Sequence, residues 1–324
     1  MGIFSMTDSL GRTIDYMRIS ITDRCNLRCN YCMPESGIES FPMSDILTYE
    51  EIVQICTIVS EHGISRIRIT GGEPLVRKDA PKLVGMIKNI PGIKEVNITT
   101  NGLLLNNHLQ ELTDMGIDGI NISLDSADKD RYRMITGRDA FEQVEAGILA
   151  SVRAGIRTKI NTVLLNDVDY KGIFRFAEEL PIDVRFIELM PIGLAKNMQG
   201  ISHEQVLEYI DSVYPGREWS EDKRGNGPAK YLNIPDFTGK IGLISPIHGK
   251  FCDKCNRIRL TATGTIKPCL CYGQAIDVKS SLRNKEYDEV TKLIRESIMN
   301  KPAAHIFEDE KKVTEKKSMV SIGG

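Results

Sequence analysis

Three thiols fall within eight positions of "DRCNLRCNYC", at Cys25, Cys29 and Cys32. A second group, Cys252, Cys255 and Cys269, sits in "FCDKCNRIRLTATGTIKPCL", with Cys271 just beyond it. Thiolates crowded this way bind soft metals. The first loop has no fourth Cys or His nearby, whereas structural zinc sites close with four ligands. A cubane of four irons held by three thiolates leaves one iron open to a further ligand. The second group also admits zinc, because His248 or Cys271 could supply a fourth ligand. Against that reading, Arg257 and Arg259 alternate onto one face of a strand beside the thiols. Two guanidiniums there suit an anionic guest such as phosphate. Cys56 stands alone in the amphipathic "EEIVQICTIVSEHG" and reads as core packing.

Bulk properties set the frame for this chemistry. The chain has 324 residues, 41% hydrophobic and 27% charged, enough for one large domain or two modest ones. Its 42 Lys and Arg nearly balance 44 Asp and Glu, and a net charge of −2 suggests neither a nucleic-acid nor a membrane surface. No apolar run is long enough to cross a bilayer and no signal peptide opens the chain, so a cytoplasmic protein is expected. Thiols stay reduced there, which favours ligands over disulfides. No G-x4-G-K-[ST] loop occurs, so a P-loop nucleotide hydrolase is excluded.

The elements that position these residues alternate. Short β-branched runs at 17–22, 66–70, 95–100, 119–125, 158–165 and 183–189 read as strands. Helical patterns lie around 48–62, 79–89, 103–115, 139–154 and 169–179. Repeated βα units imply a parallel sheet with right-handed crossovers. Eight units close a full barrel, so six imply an incomplete, open (βα)6 barrel of the TIM type. In such folds the active site lies at the carboxyl ends of the strands. The three-cysteine loop, "TGGEP", "TTNG", "SLDS" and "ELMP" all fall there. Beyond Pro191 the alternation breaks into Gly- and polar-rich sequence ("SEDKRGNGPAKY"). Then come "GKIGLIS" and "NRIRLTATGTIKPCL", which read as strands joined by a Gly turn, and a helix around 285–299. Three parts are expected: residues 1–190 as the barrel, 191–310 as a C-terminal extension, and 311–324 as a charged, mobile tail ending in Gly-Gly.

The spacing C-x3-C-x2-C, with Tyr31 before the last Cys, resembles the signature of radical S-adenosylmethionine (SAM) enzymes. "TGGEPLVR" resembles their glycine-rich motif. Over nearly the whole chain, "RISITDRCNLRCNYCMP", "INISLDS", "RFIELMPIG", "FCDKCNRIRLTATGTIKPCL" and the terminal "IGG" resemble the GTP 3′,8-cyclase family of molybdenum cofactor biosynthesis. That resemblance implies two [4Fe-4S] clusters, the first on Cys25, Cys29 and Cys32 and the second on Cys252, Cys255 and Cys269. Cys271 stands where an aromatic is usual, while the spacing favours Cys269 as the third ligand. It implies SAM contacts at Tyr31, Gly72, Ser123 and Met190, and GTP contacts at Arg18, Arg68, Thr99, Lys159, Arg257, Ile258 and Arg259. Glu73 and nearby carbonyls are placed to meet the SAM ammonium. Gly323 and Gly324 are expected to reach the active site. The resemblance further implies a homodimer that passes its product to the enzyme forming the cyclic pyranopterin. Two rivals stand beside it: a radical SAM maturase acting on peptides, and a zinc-binding scaffold or nucleotide sensor.

Overall fold

The computed structural model describes residues 6–166, 169–222 and 224–323. Its first half alternates as the sequence patterns dictate. The elements are β1 (Tyr16–Ser20), α1 (Tyr49–Glu61), β2 (Arg66–Thr70), α2 (Ala80–Lys88), β3 (Glu95–Thr100), α3 (Leu105–Asp114) and β4 (Gly119–Ser123). They continue with α4 (Lys129–Thr136), α5 (Phe141–Arg153), β5 (Thr158–Leu164), α6 (Tyr170–Glu179) and β6 (Asp183–Glu188). Local chemistry fixes the helix ends. Thr48 and Glu51 form a reciprocal capping box at the start of α1, and Gly137 takes the left-handed conformation that ends α4.

The C-terminal third follows as α7 (His203–Val213), β7 (Glu218–Ser220), β8 (Lys230–Asn233), β9 (Lys240–Ile244) and β10 (Arg257–Leu260). It ends with β11 (Thr265–Lys267), β12 (Ile276–Asp277), α8 (Lys279–Arg283), α9 (Tyr287–Met299) and α10 (Met319–Ile322). Among the described residues all strands form one sheet, ordered β12-β11-β10-β1-β2-β3-β4-β5-β6-β9-β8-β7. The six expected parallel strands are its centre. The extension supplies β10 parallel to β1 and β9 parallel to β6, one on each flank. Eight parallel strands therefore stand side by side, yet no pairing joins β9 to β10 among the described residues, and the barrel stays open.

Three expectations change in detail. The Gly turn at Gly264 joins β10 to β11, whereas β9 and β10 lie on opposite flanks of the six central strands. Helices α4 and α7 and the short strands β7 and β8 form where no element was expected; β8 pairs with β9 and β7 with β8, and this pairing overrides a polar, Gly-rich composition. The charged end of the chain is anchored at intervals: Val313, Glu315, Val320, Ile322 and Gly323 are buried, while Lys311, Lys312, Lys316 and Lys317 stay exposed. Val313 and Ile322 join Phe307 and Ile192 in a small apolar cluster. Glu315 is buried 2.6 Å from Lys267, though not aligned as a hydrogen bond. The Glu315 charge, which reads as solvated in the sequence, is here neutralised internally.

The pleat sorts the sheet's two faces. Met17, Ile19, Ile67, Ile69, Val96, Ile98, Ile120, Ile122, Ile160, Val184, Ile258 and Leu260 point outward into the core shared with the helices. The opposite face is polar. Arg259, Arg18, Arg68 and Asn97 are register partners across β10, β1, β2 and β3. Filled barrel interiors are dominated by Val, Ile and Leu, so a polar lining marks a chamber.

An aromatic stack fastens α6 to β6. Phe174 lies 5.3 Å from Phe186 and 5.7 Å from Tyr214, both stacked, and edge-on to Phe237 at 6.3 Å. Phe174→Ala is expected to cost about 3–5 kcal/mol by leaving a cavity, and Phe174→Leu clearly less. Anaerobic denaturant titration of the reconstituted protein measures both.

Candidate active site

One cavity at the carboxyl ends of the strands gathers both cysteine groups. Its walls include Cys25, Cys29 and Cys32 as well as Cys252, Cys255 and Cys269. Tyr31, Gly72, Ser123 and Met190 border it, as do Arg18, Thr99, Arg257 and Arg259. Three sequence candidates stand elsewhere. Ile258 turns its side chain wholly into the core, as alternation between two inward arginines requires, and only its backbone is left for a ligand. Arg68 is held by the Tyr16 hydroxyl (2.5 Å) and donates to Thr99 Oγ1 (3.4 Å). Lys159 is buried against Asp183 Oδ2 (2.7 Å), the Tyr231 hydroxyl (3.0 Å) and the Arg224 carbonyl (2.5 Å). Gly324 lies outside the described residues.

The first loop follows β1 and leans on the ends of β3 and β4. Cys25 Sγ accepts from the Leu27 N–H (3.4 Å) and the Asn101 side-chain amide (3.8 Å). Burial pushes all three thiols up, Cys32 to about 12, and the neighbouring sulfurs and Asp125 raise Cys29 further. Thiols packed this closely are costly to ionise alone. A cationic cluster supplies the compensating charge, and N–H donors aimed at sulfur are the usual surroundings of one. Three soft donors with no imidazole or carboxylate among them fit an iron–sulfur cluster. Tyr31 donates to Asp125 Oδ2 (2.7 Å), whose other oxygen accepts from the Val163 N–H (2.8 Å). Asp125 thus fixes the ring that precedes the third thiol.

Gly72 has a strict steric reason. A Cβ there would meet the Arg24 carbonyl oxygen at 2.4 Å, so the second strand's end can press against the cysteine loop only as glycine. Glu73, beside it, is fully buried with both oxygens engaged. Thr100 Oγ1 (2.7 Å) and the Leu75 N–H (3.0 Å) donate to one, and the Asn101 N–H (2.6 Å) donates to the other. It is a bracket between β2 and β3 before it is anything else.

The two candidate third ligands of the second thiol group sit in different surroundings. Cys269 borders the cavity, while Cys271 is fully buried among Leu270, Phe307 and Val313, its thiol pushed up to about 11 by burial. His248, the other candidate, binds Glu188 Oε1 (2.8 Å) and does not border the cavity. Burial raises Cys255, but Lys301 and Arg257 more than offset it and hold the thiol below its ordinary value. Lys301 was invisible in the sequence because "NKPAAH" carries no motif. It is buried, donates to the carbonyls of Arg257 (2.8 Å) and Pro268 (2.5 Å), and borders the cavity. Arg12 ties the same region together, donating to the carbonyls of Cys252 (2.8 Å) and Pro302 (2.8 Å).

The guanidiniums are the site's electrostatic core. Burial lowers Arg18 well below the usual arginine range, and the Arg259 charge lowers it further. Arg259 falls to about 10 through burial and the Arg257 charge. Such a cluster favours an anion. The chain's own end reaches it: Arg259 Nη1 donates to the Gly323 carbonyl (2.9 Å), as does Thr70 Oγ1 (3.4 Å). Gly323 sits at φ +73°, and a Cβ would meet Ser20 Cβ at 2.7 Å. One turn earlier, the Val320 N–H donates to the Cys32 sulfur.

Comparison with known proteins follows this geometry. The Radical SAM superfamily model matches residues 19–180, and the Molybdenum Cofactor Synthesis C model matches 182–307. A GTP 3′,8-cyclase of Clostridium perfringens is 41% identical over 98% of this chain and 100% of its own length. Another, of Alkaliphilus metalliredigens, is 43% identical with the same coverage. The chain belongs to the GTP 3′,8-cyclase family. As a member it is a radical SAM enzyme that binds SAM and [4Fe-4S] clusters. The Streptococcus suis SuiB structure bound to SAM shares the fold, with a TM-score of 0.63 at 15% identity over 95% of this chain and 77% of SuiB. Among the described residues no helix is long and apolar enough to cross a membrane.

Glu73 gives a pH signature. Burial lifts its carboxyl to about 7 despite three hydrogen bonds that favour the anion. A raised acid stabilises the fold below its unfolded value near 4.5 and loses that contribution as pH rises to about 7. Relative to Glu73→Gln, the wild-type protein should lose on the order of 3 kcal/mol across that window. Unfolding free energies of both proteins, compared at stepped pH under anaerobic conditions, check the slope.

Proposed function

We propose that the chain converts GTP to (8S)-3′,8-cyclo-7,8-dihydroguanosine 5′-triphosphate, the opening step of molybdenum cofactor biosynthesis. One observation carries this reading: both cysteine trios and three guanidiniums border a single cavity. Bound there, a [4Fe-4S] cluster with SAM supplies the one-electron chemistry that removes the hydrogen from ribose C3′.

The chain's own residues bind, orient and shield. Cys25, Cys29 and Cys32 hold the first cluster, with Tyr31, Gly72, Ser123 and Met190 against SAM. Cys252, Cys255 and Cys269 would hold the second. Arg18, Arg257 and Arg259 meet the triphosphate, where planar, forked donors match phosphate oxygens. Thr99 and the Ile258 backbone complete that wall. Arg68 acts through Thr99 and Tyr16, and Lys159 reaches substrate only on leaving Asp183. Holding base and phosphates at opposite ends keeps C3′ at a fixed position, which is where orientation accelerates the reaction. The packed end of the chain excludes water and competing hydrogen donors. In this reading the protein works as a cytoplasmic homodimer and hands its product to the enzyme that forms the cyclic pyranopterin.

Anaerobic incubation with SAM, GTP and a reductant is expected to yield 5′-deoxyadenosine and the cyclised nucleotide together. Deoxyadenosine that forms equally well without GTP would sink this assignment in favour of the peptide-acting rival. Ligand choice is tested separately by metal analysis. Cys269→Ala should lower iron from about eight to about four per chain, and Cys271→Ala should leave it unchanged.

A further inference from the structure

Behind the cavity wall lies a group that the cyclisation does not use. Glu188 closes β6, His203 and Glu204 open α7, and His248 sits in the loop after β9. One ligand atom from each lies within 4.8 Å of all the others. Glu188 is buried and borders the cavity, whereas His203, Glu204 and His248 are not among its lining residues. Both imidazoles aim the same nitrogen at the same oxygen: His203 Nδ1 is 2.9 Å and His248 Nδ1 2.8 Å from Glu188 Oε1. The other oxygen is oriented by the backbone N–H groups of Ile247 (2.9 Å) and His248 (3.2 Å). His203 Nε2 lies 3.1 Å from Glu204.

We propose that Glu188, His203, Glu204 and His248 form a divalent-cation site of the zinc type, distinct from both cysteine groups. Two imidazoles and two carboxylates are the borderline N/O donor set that zinc accepts, and two carboxylates balance its charge. The backbone donors on Glu188 Oε2 are the outer support such a ligand needs. Half-exposed His248 and Glu204 leave an entry path from solvent. The cation would cross-link the end of β6, the start of α7 and the loop after β9, next to Leu189 and Met190 of the cavity wall. Its role is to hold that wall, not to react.

The test uses the fully iron-loaded protein, incubated with zinc and then desalted. The expected result is about one zinc per chain alongside about eight irons. X-ray absorption at the zinc edge should show only nitrogen and oxygen neighbours. The double variant His203→Ala/His248→Ala should lose the zinc and keep its iron. No retained zinc, sulfur in its coordination shell, or zinc undiminished in the double variant each overturns the proposal. If the double variant also loses iron, the exposed Glu204→Ala decides instead. Zinc retention weakened about tenfold supports the site, and unchanged retention overturns it.

Discussion

The structure depends on one unfavourable arrangement, arginines set abreast on the inner face of a sheet. Arg259, Arg18 and Arg68 occupy one row across β10, β1 and β2, and Arg257 lies one step below. Guanidiniums in low dielectric repel one another and lose hydration, which is why burial and mutual charge lower Arg18 and Arg259 together. The row survives because the surroundings answer it. The Tyr16 hydroxyl takes Arg68, Phe251 lies under Arg257, and the Gly323 carbonyl takes Arg259. A multiply charged anion answers it better than neutral oxygens can.

That row exists only because the extension is part of the same sheet. Two of the guanidiniums come from β10, whose alternation also sends Ile258 and Leu260 into the outer core. The second cysteine group is then delivered by the loop before β10 and the turn after β11. A boundary near residue 190 therefore separates stretches of sequence rather than folded bodies. The half that carries the first cysteine loop and the half that carries the second share one hydrogen-bonded sheet.

Much of this was legible. The barrel's six strands and five helices, and the helix at Tyr287–Met299, followed from periodicity, because each carries a buried apolar face. The cysteine spacings and the Gly-Gly-Glu-Pro turn carried the site, because their chemistry is local. Lys301, Asp125 and Glu188 were not legible in the same way. Each acts through partners from distant segments, such as Tyr31 with Asp125 and His248 with Glu188. The packed tail was hidden for a similar reason: Glu315 reads as solvated until Lys267 is known to face it. Ile258 shows the opposite limit, since a motif can include a residue whose side chain points away from the site.

The pairing of β1 with β10 joins stretches more than 230 residues apart, and Arg12 reaches across 240 positions to the Cys252 carbonyl. During synthesis the first strand must therefore wait as an uncovered edge until most of the chain has emerged. Long-range closure of this kind is slow and leaves an unpaired edge open to aggregation. Insertion of the iron–sulfur units is thereby ordered in time: the leading cysteine loop is available early, but the trailing one becomes a pocket only when the last third of the polypeptide has docked.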